Sequence, residues 1–432
     1  MGQFQCGVAK RTITPALGGH LFGYHPNIIS REKHDDLTVC AFSFSDGNES
    51  AMMITLTVCS LDTELTDSLC QEIEEITGIN RDAVLISCIH THCGPPLINS
   101  PGWGEIDTVY FNEILRPRVL DAAKDAFESM EPAKMGYAVG ESLVGINRRE
   151  STPEGGVKLG QDPLGYQDKS MRVAAFLNLN GKLLGTIVTY SAHNTAAGPI
   201  PVITRDWAGL LCDEMEKETN AVCGYFNGTI GDTGPRLSNG KTIGDIPLME
   251  ELGRRAAQDA VSIFHRIKVF ENICVKGIKK PLSLPKKPRI PYEEAKKRYA
   301  QAKNEAKANM SCKIAEHYRK IVASYEAGEE DEKEYTTHLT AVKIGPLVFA
   351  GMPFELFTRI GLRIRRRIRK LTVICLSLTG GWGHYFPTED EIPRGGYEIR
   401  NYHHAHAQHY CDGASDLLID KAVEILTELQ EE

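Results

Sequence analysis

Residues 84–96, VLISCIHTHCGPP, constrain this chain more than any other stretch. They begin with a continuous apolar run, which suits a strand buried on both faces rather than one wetted on one side. Gly94-Pro95-Pro96 cannot continue a strand, so the run stops near His90-Thr91-His92. Side chains alternate along a strand, which predicts that His90 and His92 project from one face at its end. Two imidazoles beside a turn have the character of a metal site. A packed, hydrogen-bonded histidine is the competing reading.

The same arrangement recurs. Residues 183–190, LLGTIVTY, run into Ser191-Ala192-His193, and residues 221–226 run into a glycine turn carrying Asp232. Glu355 follows a third apolar strand pattern at residues 339–350. Strand ends that deliver His, His, Asp and Glu point to an active site, because sites in layered α/β folds gather there.

Between these strands, residues 63–77 place apolar side chains at helical spacing and end in Gly78, a helix stop. Residues 110–130, 248–264 and 357–371 read as further amphipathic helices. Residues 38–44 and 51–56 flank the turn Ser45-Asp46-Gly47-Asn48 and read as a hairpin. The expected fold is therefore α/β, with central mixed, mostly buried β-sheets and helices outside. Residues 279–292 are rich in proline and lysine and read as a linker. A long charged helical pattern follows at 292–327, then an acidic loop. This predicts one domain over residues 1–432 with a charged helical insertion at 280–335, its charges a solvated face without chemistry. Near the end, His403, His404, His406 and His409 suit a second metal, a polar surface or a subunit contact. Ser415 reads as the N-cap of a closing helix.

Composition narrows the function. A formal net charge of −8 argues against a nucleic-acid surface, and the basic helix face at residues 363–370 reads as solvated. No apolar run has the length of a membrane span, and the first residues lack the apolar core of a signal peptide. The twelve cysteines contain no C-x-x-C pair and suit reduced thiols, so a cytoplasmic protein is expected.

Taken in order, several blocks resemble one family. They are GVAKRTITP, ISCIHTHCGPP, INRRE, SAHNTAAGPIPVITRDWAG, YFNGTIGDTGP, GMPFELFTRIGLRI and GHYFPTEDEIPRGGYE. Together they resemble the catalytic domain of the neutral/alkaline (non-lysosomal) ceramidases, zinc amidohydrolases that cleave the N-acyl bond of ceramide. The resemblance spans most of residues 5–240 and 340–400. It implies Zn2+ held by His90, His193, Glu355 and Tyr385, with His92 reaching the reacting carbonyl or leaving group instead of the metal. It implies further that Tyr397 donates to the oxyanion and that Arg148 contacts substrate. Asp232 is the general base or orients the metal-bound water. The implied reaction is attack on an amide carbonyl by a zinc-bound hydroxide, since zinc lowers the pKa of water from about 15.7 to about 7.

The pattern also departs from the family. Ceramidases carry serine two residues after the GD aspartate, where this chain has Gly234. A serine nucleophile is thereby excluded, whereas a zinc hydroxide is not; Thr233 is expected to point away. The secreted members have a signal peptide and a C-terminal β-sandwich, and neither is expected here. A small-molecule or lipid-like amide more soluble than ceramide is therefore expected. The alternatives are an ester or lactone hydrolase on the same site, and a catalytically silent binding protein. A homo-oligomer is compatible with the sequence.

Overall fold

Strands that are apolar on both sides need a partner on each face, and the computed structural model, which describes residues 2–306 and 310–431, supplies both. An eight-stranded sheet runs in the order Val222–Asn227, Leu183–Tyr190, Ser170–Asn178, Glu131–Glu141, Gln5–Thr12, Thr38–Ser45, Ser50–Leu56, Val84–Cys88. A four-stranded sheet runs Val275–Pro285, Glu334–Ile344, Leu347–Gly351, Thr372–Leu376. Each sheet mixes antiparallel pairs with parallel ones: 183–190 with 222–227 and 50–56 with 84–88 in the first, 347–351 with 372–376 in the second. The fold is α/β with mixed sheets.

Alternation along single strands shows where the layers lie. Leu347 and Phe349 join a core shared with Phe42 and Phe226 of the large sheet. Val348 and Ala350 face the opposite way, among Ile360, Ile364, Leu418 and Leu426 of the helices Thr358–Arg367 and Ala414–Glu431. In the large sheet, Ile187 and Phe176 join the shared core. Val188 and Val173 pack on Trp207, Leu211 and Leu252 from the helices Asp206–Thr219 and Ile246–Phe264. The two sheets thus sandwich one aromatic-rich core, with helices on the outer faces.

Several expectations change. Val275–Pro285 is a strand, not a linker, antiparallel to Glu334–Ile344. It lies at the sheet edge, where Pro281 and Pro285 leave no central ladder bond unmade. Residues 280–335 then hold the helices Tyr292–Glu305 and Met310–Glu326 between two strand ends. Ser415 lies inside the closing helix rather than capping it. Among the described residues, no helix is long and apolar enough to cross a membrane.

Candidate active site

The strand Val84–Cys88 ends two residues before His90, whose φ of 71° is left-handed. A non-glycine residue held there is strained, and the surroundings must enforce it. Asn227 Nδ2 donates to Ile89 O at 2.6 Å, and His90 N donates to Val58 O at 3.0 Å. His90 and His92 therefore converge through a kink, not through strand alternation, and their Nε2 atoms lie 3.2 Å apart.

His193 follows the strand Leu183–Tyr190. Its main chain is fixed by Trp207 Nε1, which donates to His193 O at 2.9 Å, and by its own N–H to Thr233 O at 3.1 Å. Glu355 and Tyr385 come from a short parallel ladder in which they are direct partners. Segments that follow strands of the large sheet thus meet this separate two-stranded ladder at one point.

There, His90 Nε2 lies 3.6 Å and His193 Nε2 3.0 Å from Glu355 Oε2. The far nitrogens face main-chain carbonyls: His90 Nδ1 is 2.8 Å from Cys59 O, and His193 Nδ1 is 2.8 Å from Ile230 O. Such bonds place the proton on Nδ1 and leave both Nε2 lone pairs aimed inward, as metal-ligating histidines require. Burial pushes His193 down to about 3 and lowers His90 as well, so both imidazoles are neutral, the ligating form. Burial disfavours an ionised Glu355, yet its carboxyl is held well below the usual range, with the Arg148 guanidinium favouring the charged form.

Cys59, His90 and His92 form a second group close enough to share an ion. It suits a metal less well. Burial raises the Cys59 thiol well above its ordinary value, and a thiol is a poor ligand until ionised. The C-terminal histidines belong to neither group found among the described residues. His403 and His409 stack with ring centroids 5.0 Å apart, and His404 meets His317 edge-on at the same separation.

Tyr385 and Tyr397 line the same cavity as His90, His92 and Glu355. Arg148 Nη2 donates to Tyr385 Oη at 2.9 Å and to Gly231 O at 3.0 Å, while its Nε pairs with Glu398 Oε1 at 2.9 Å. Glu398 also binds Arg149 Nη1 at 2.7 Å. The arginine marked by the sequence as a substrate contact thus has its guanidinium on Tyr385, outside the cavity lining. Asp232 is pushed up to about 6 by burial. Its Oδ1 accepts from Thr358 N at 2.8 Å and Thr358 Oγ1 at 2.7 Å, and it too lies outside the lining. Thr233 Oγ1 sits 2.9 Å from Thr358 Oγ1, turned away from the cavity. A Cβ on Gly234 would meet Thr242 Cβ at 2.7 Å, so the room for the family's serine is already filled.

Sequence reasoning missed Lys313, Trp382, Asn401 and Phe22 in the lining. It also missed how His92 is placed. Tyr24 packs edge-on against its ring at 4.8 Å, and a Cβ on Gly23 would meet His92 Cγ at 2.4 Å. Gly23 has φ 122°, a second reason for glycine there. Gly23→Ala is expected to displace His92 and lower kcat/KM by about a hundredfold. Metal content, measured on the same sample, should stay at the wild-type value.

No family model matches the chain, and no curated protein does. Among solved structures, the neutral ceramidase from Pseudomonas aeruginosa matches 100% of this chain and 75% of its own length. The TM-score is 0.75 at 17% sequence identity. The fold is that of the neutral ceramidases. A structure described as ceramidase complexed with C2 agrees, with TM-score 0.74 at 16% identity over 100% of this chain and 76% of its own. The neutral-ceramidase fold brings distant blocks of sequence together, from Gly23 to Tyr397, around one cavity.

Proposed function

We propose that this chain is a zinc-dependent hydrolase of linear amides, acting on an N-acyl substrate more soluble than ceramide. One observation carries the reading: His90 Nε2, His193 Nε2 and a Glu355 oxygen converge within 4.8 Å of one another beside a cavity. Two neutral imidazoles and a carboxylate suit Zn2+, with Tyr385 as the fourth ligand and a position left open, as catalytic zinc needs. Zinc held there would polarise a carbonyl and lower the pKa of a water to about 7.

The remaining work falls to the protein. Burial raises the Tyr385 phenol well above its ordinary value, while Arg148, which donates to its Oη at 2.9 Å, orients it and favours the ionised form. Burial pushes Tyr397 up to about 12, so it keeps its proton and can donate to the developing oxyanion. One such donor is worth roughly 3–4 kcal/mol. His92 is assigned to the leaving amine, as a proton-bearing group beside the ligand set whose ring is braced by Tyr24. Through its bonds to Thr358, Asp232 anchors the turn whose Ile230 and Thr233 carbonyls accept from His193. As a base it would act only after those bonds open.

The test is release of free amine from a panel of N-acyl amides by protein purified without added metal. Activity lost to a chelator and restored by Zn2+ is the expected result. No release from any linear amide by zinc-loaded protein would overturn the reading, and release from esters or lactones alone would replace it.

A further inference from the structure

Lys313 lies on the helix Met310–Glu326, in the stretch whose charges the sequence marks as solvated, yet it is only 5% exposed. It lines the same cavity as His90, Glu355 and Tyr385. Its Nζ donates to Asn401 Oδ1 at 2.9 Å, lies 3.1 Å from His384 Nδ1, and sits 5.6 Å from the centre of the Trp382 ring. Those three partners are neutral, and among the described residues no carboxylate forms an ion pair with it. A buried ammonium without a counter-charge is costly, and burial accordingly lowers Lys313 to about 7. The lining holds one other charged side chain, Glu355, which the proposed ligand set consumes. Phe22, Trp103 and Trp382 give the wall an aromatic part, beside Cys59, Ser60 and Ser100.

We infer that Lys313 is a specificity-determining residue that receives an oxyanion on the substrate. The preferred substrates are then amides with an apolar acyl half and a carboxylate, of the N-acyl amino acid class. An incoming carboxylate completes the shell of Nζ with a charge-assisted hydrogen bond while the aromatic wall takes the acyl chain. The inference rests on the hydrolase reading for the word substrate, but the binding of an anion beside the ligand set does not.

The two are separated by measuring binding and turnover with different probes. Binding uses a hydrolysis-resistant pair, N-decanesulfonylglycine and its uncharged glycinamide, titrated into the zinc-loaded protein and followed by tryptophan fluorescence. The acid should bind at least about tenfold more tightly than the amide. Lys313→Met should bring that ratio close to one, and Lys313→Arg should keep part of it. Equal binding of the two probes to wild type, or a ratio untouched in Lys313→Met, would overturn the inference. Turnover uses N-decanoylglycine and N-decanoylglycinamide. Cleavage of both at equal kcat/KM, with equal binding, leaves the hydrolase and removes the role of Lys313. Tight, Lys313-dependent binding without cleavage of either does the reverse.

Discussion

Glu355→Gln should lower kcat/KM toward N-acyl amides by about a thousandfold or more, with unchanged circular dichroism. The carboxylate is 2% exposed, and its main chain is tied down on both sides. Glu355 N donates to His384 O at 2.8 Å, and Gly231 N donates to Leu356 O at 2.8 Å. Glutamine keeps the volume and its amide can donate to His193 Nε2, so the fold should survive while the negative charge is lost. Without that charge the two neutral imidazoles hold a dication far more weakly. The loss should therefore appear in kcat, and excess Zn2+ should restore only part of it. Activity within about threefold of wild type would mean that Glu355 is not a ligand.

The second large effect is on stability. Glu398 receives Arg148 and Arg149, and all three side chains are at most 7% exposed. Removing one member of a buried ionic network leaves uncompensated charge and costs about 3–5 kcal/mol. Glu398→Ala should fall at the lower end, because Arg149 keeps Glu391 at 2.8 Å and Gly395 O at 2.7 Å. Arg148 likewise keeps Tyr385 and Gly231 O. The denaturant midpoint, at unchanged slope, reads this directly. A shift under about 1 kcal/mol would show that water reaches the network and solvates it.

The parts legible in the sequence were those encoded within one strand and its turn. The strands Val84–Cys88, Leu183–Tyr190 and Val222–Asn227 stand out because burial on both faces requires unbroken apolar runs. The residues at their ends, His90, His193 and Asp232, came with them. Glu355 was marked by its place just past a strand end and Tyr385 by resemblance, and their direct pairing is visible only in three dimensions. Lys313 could not be read, because a lysine in a charged helix looks solvated until the helix is laid over a cavity. The strand Val275–Pro285 was hidden by its prolines and lysines, which only an edge position tolerates. The kink at His90 gave no signal, since a left-handed φ on histidine is imposed by neighbours such as Asn227.

The central claim is that His90, His193 and Glu355 form a zinc site, and elemental analysis of the purified protein tests it most directly. Wild type should carry about one zinc per chain, and His193→Ala, which removes one Nε2 donor, should lose it while remaining folded. A wild type that holds no zinc and cannot be loaded with it, or a His193→Ala protein that retains zinc at the wild-type level, would contradict the account.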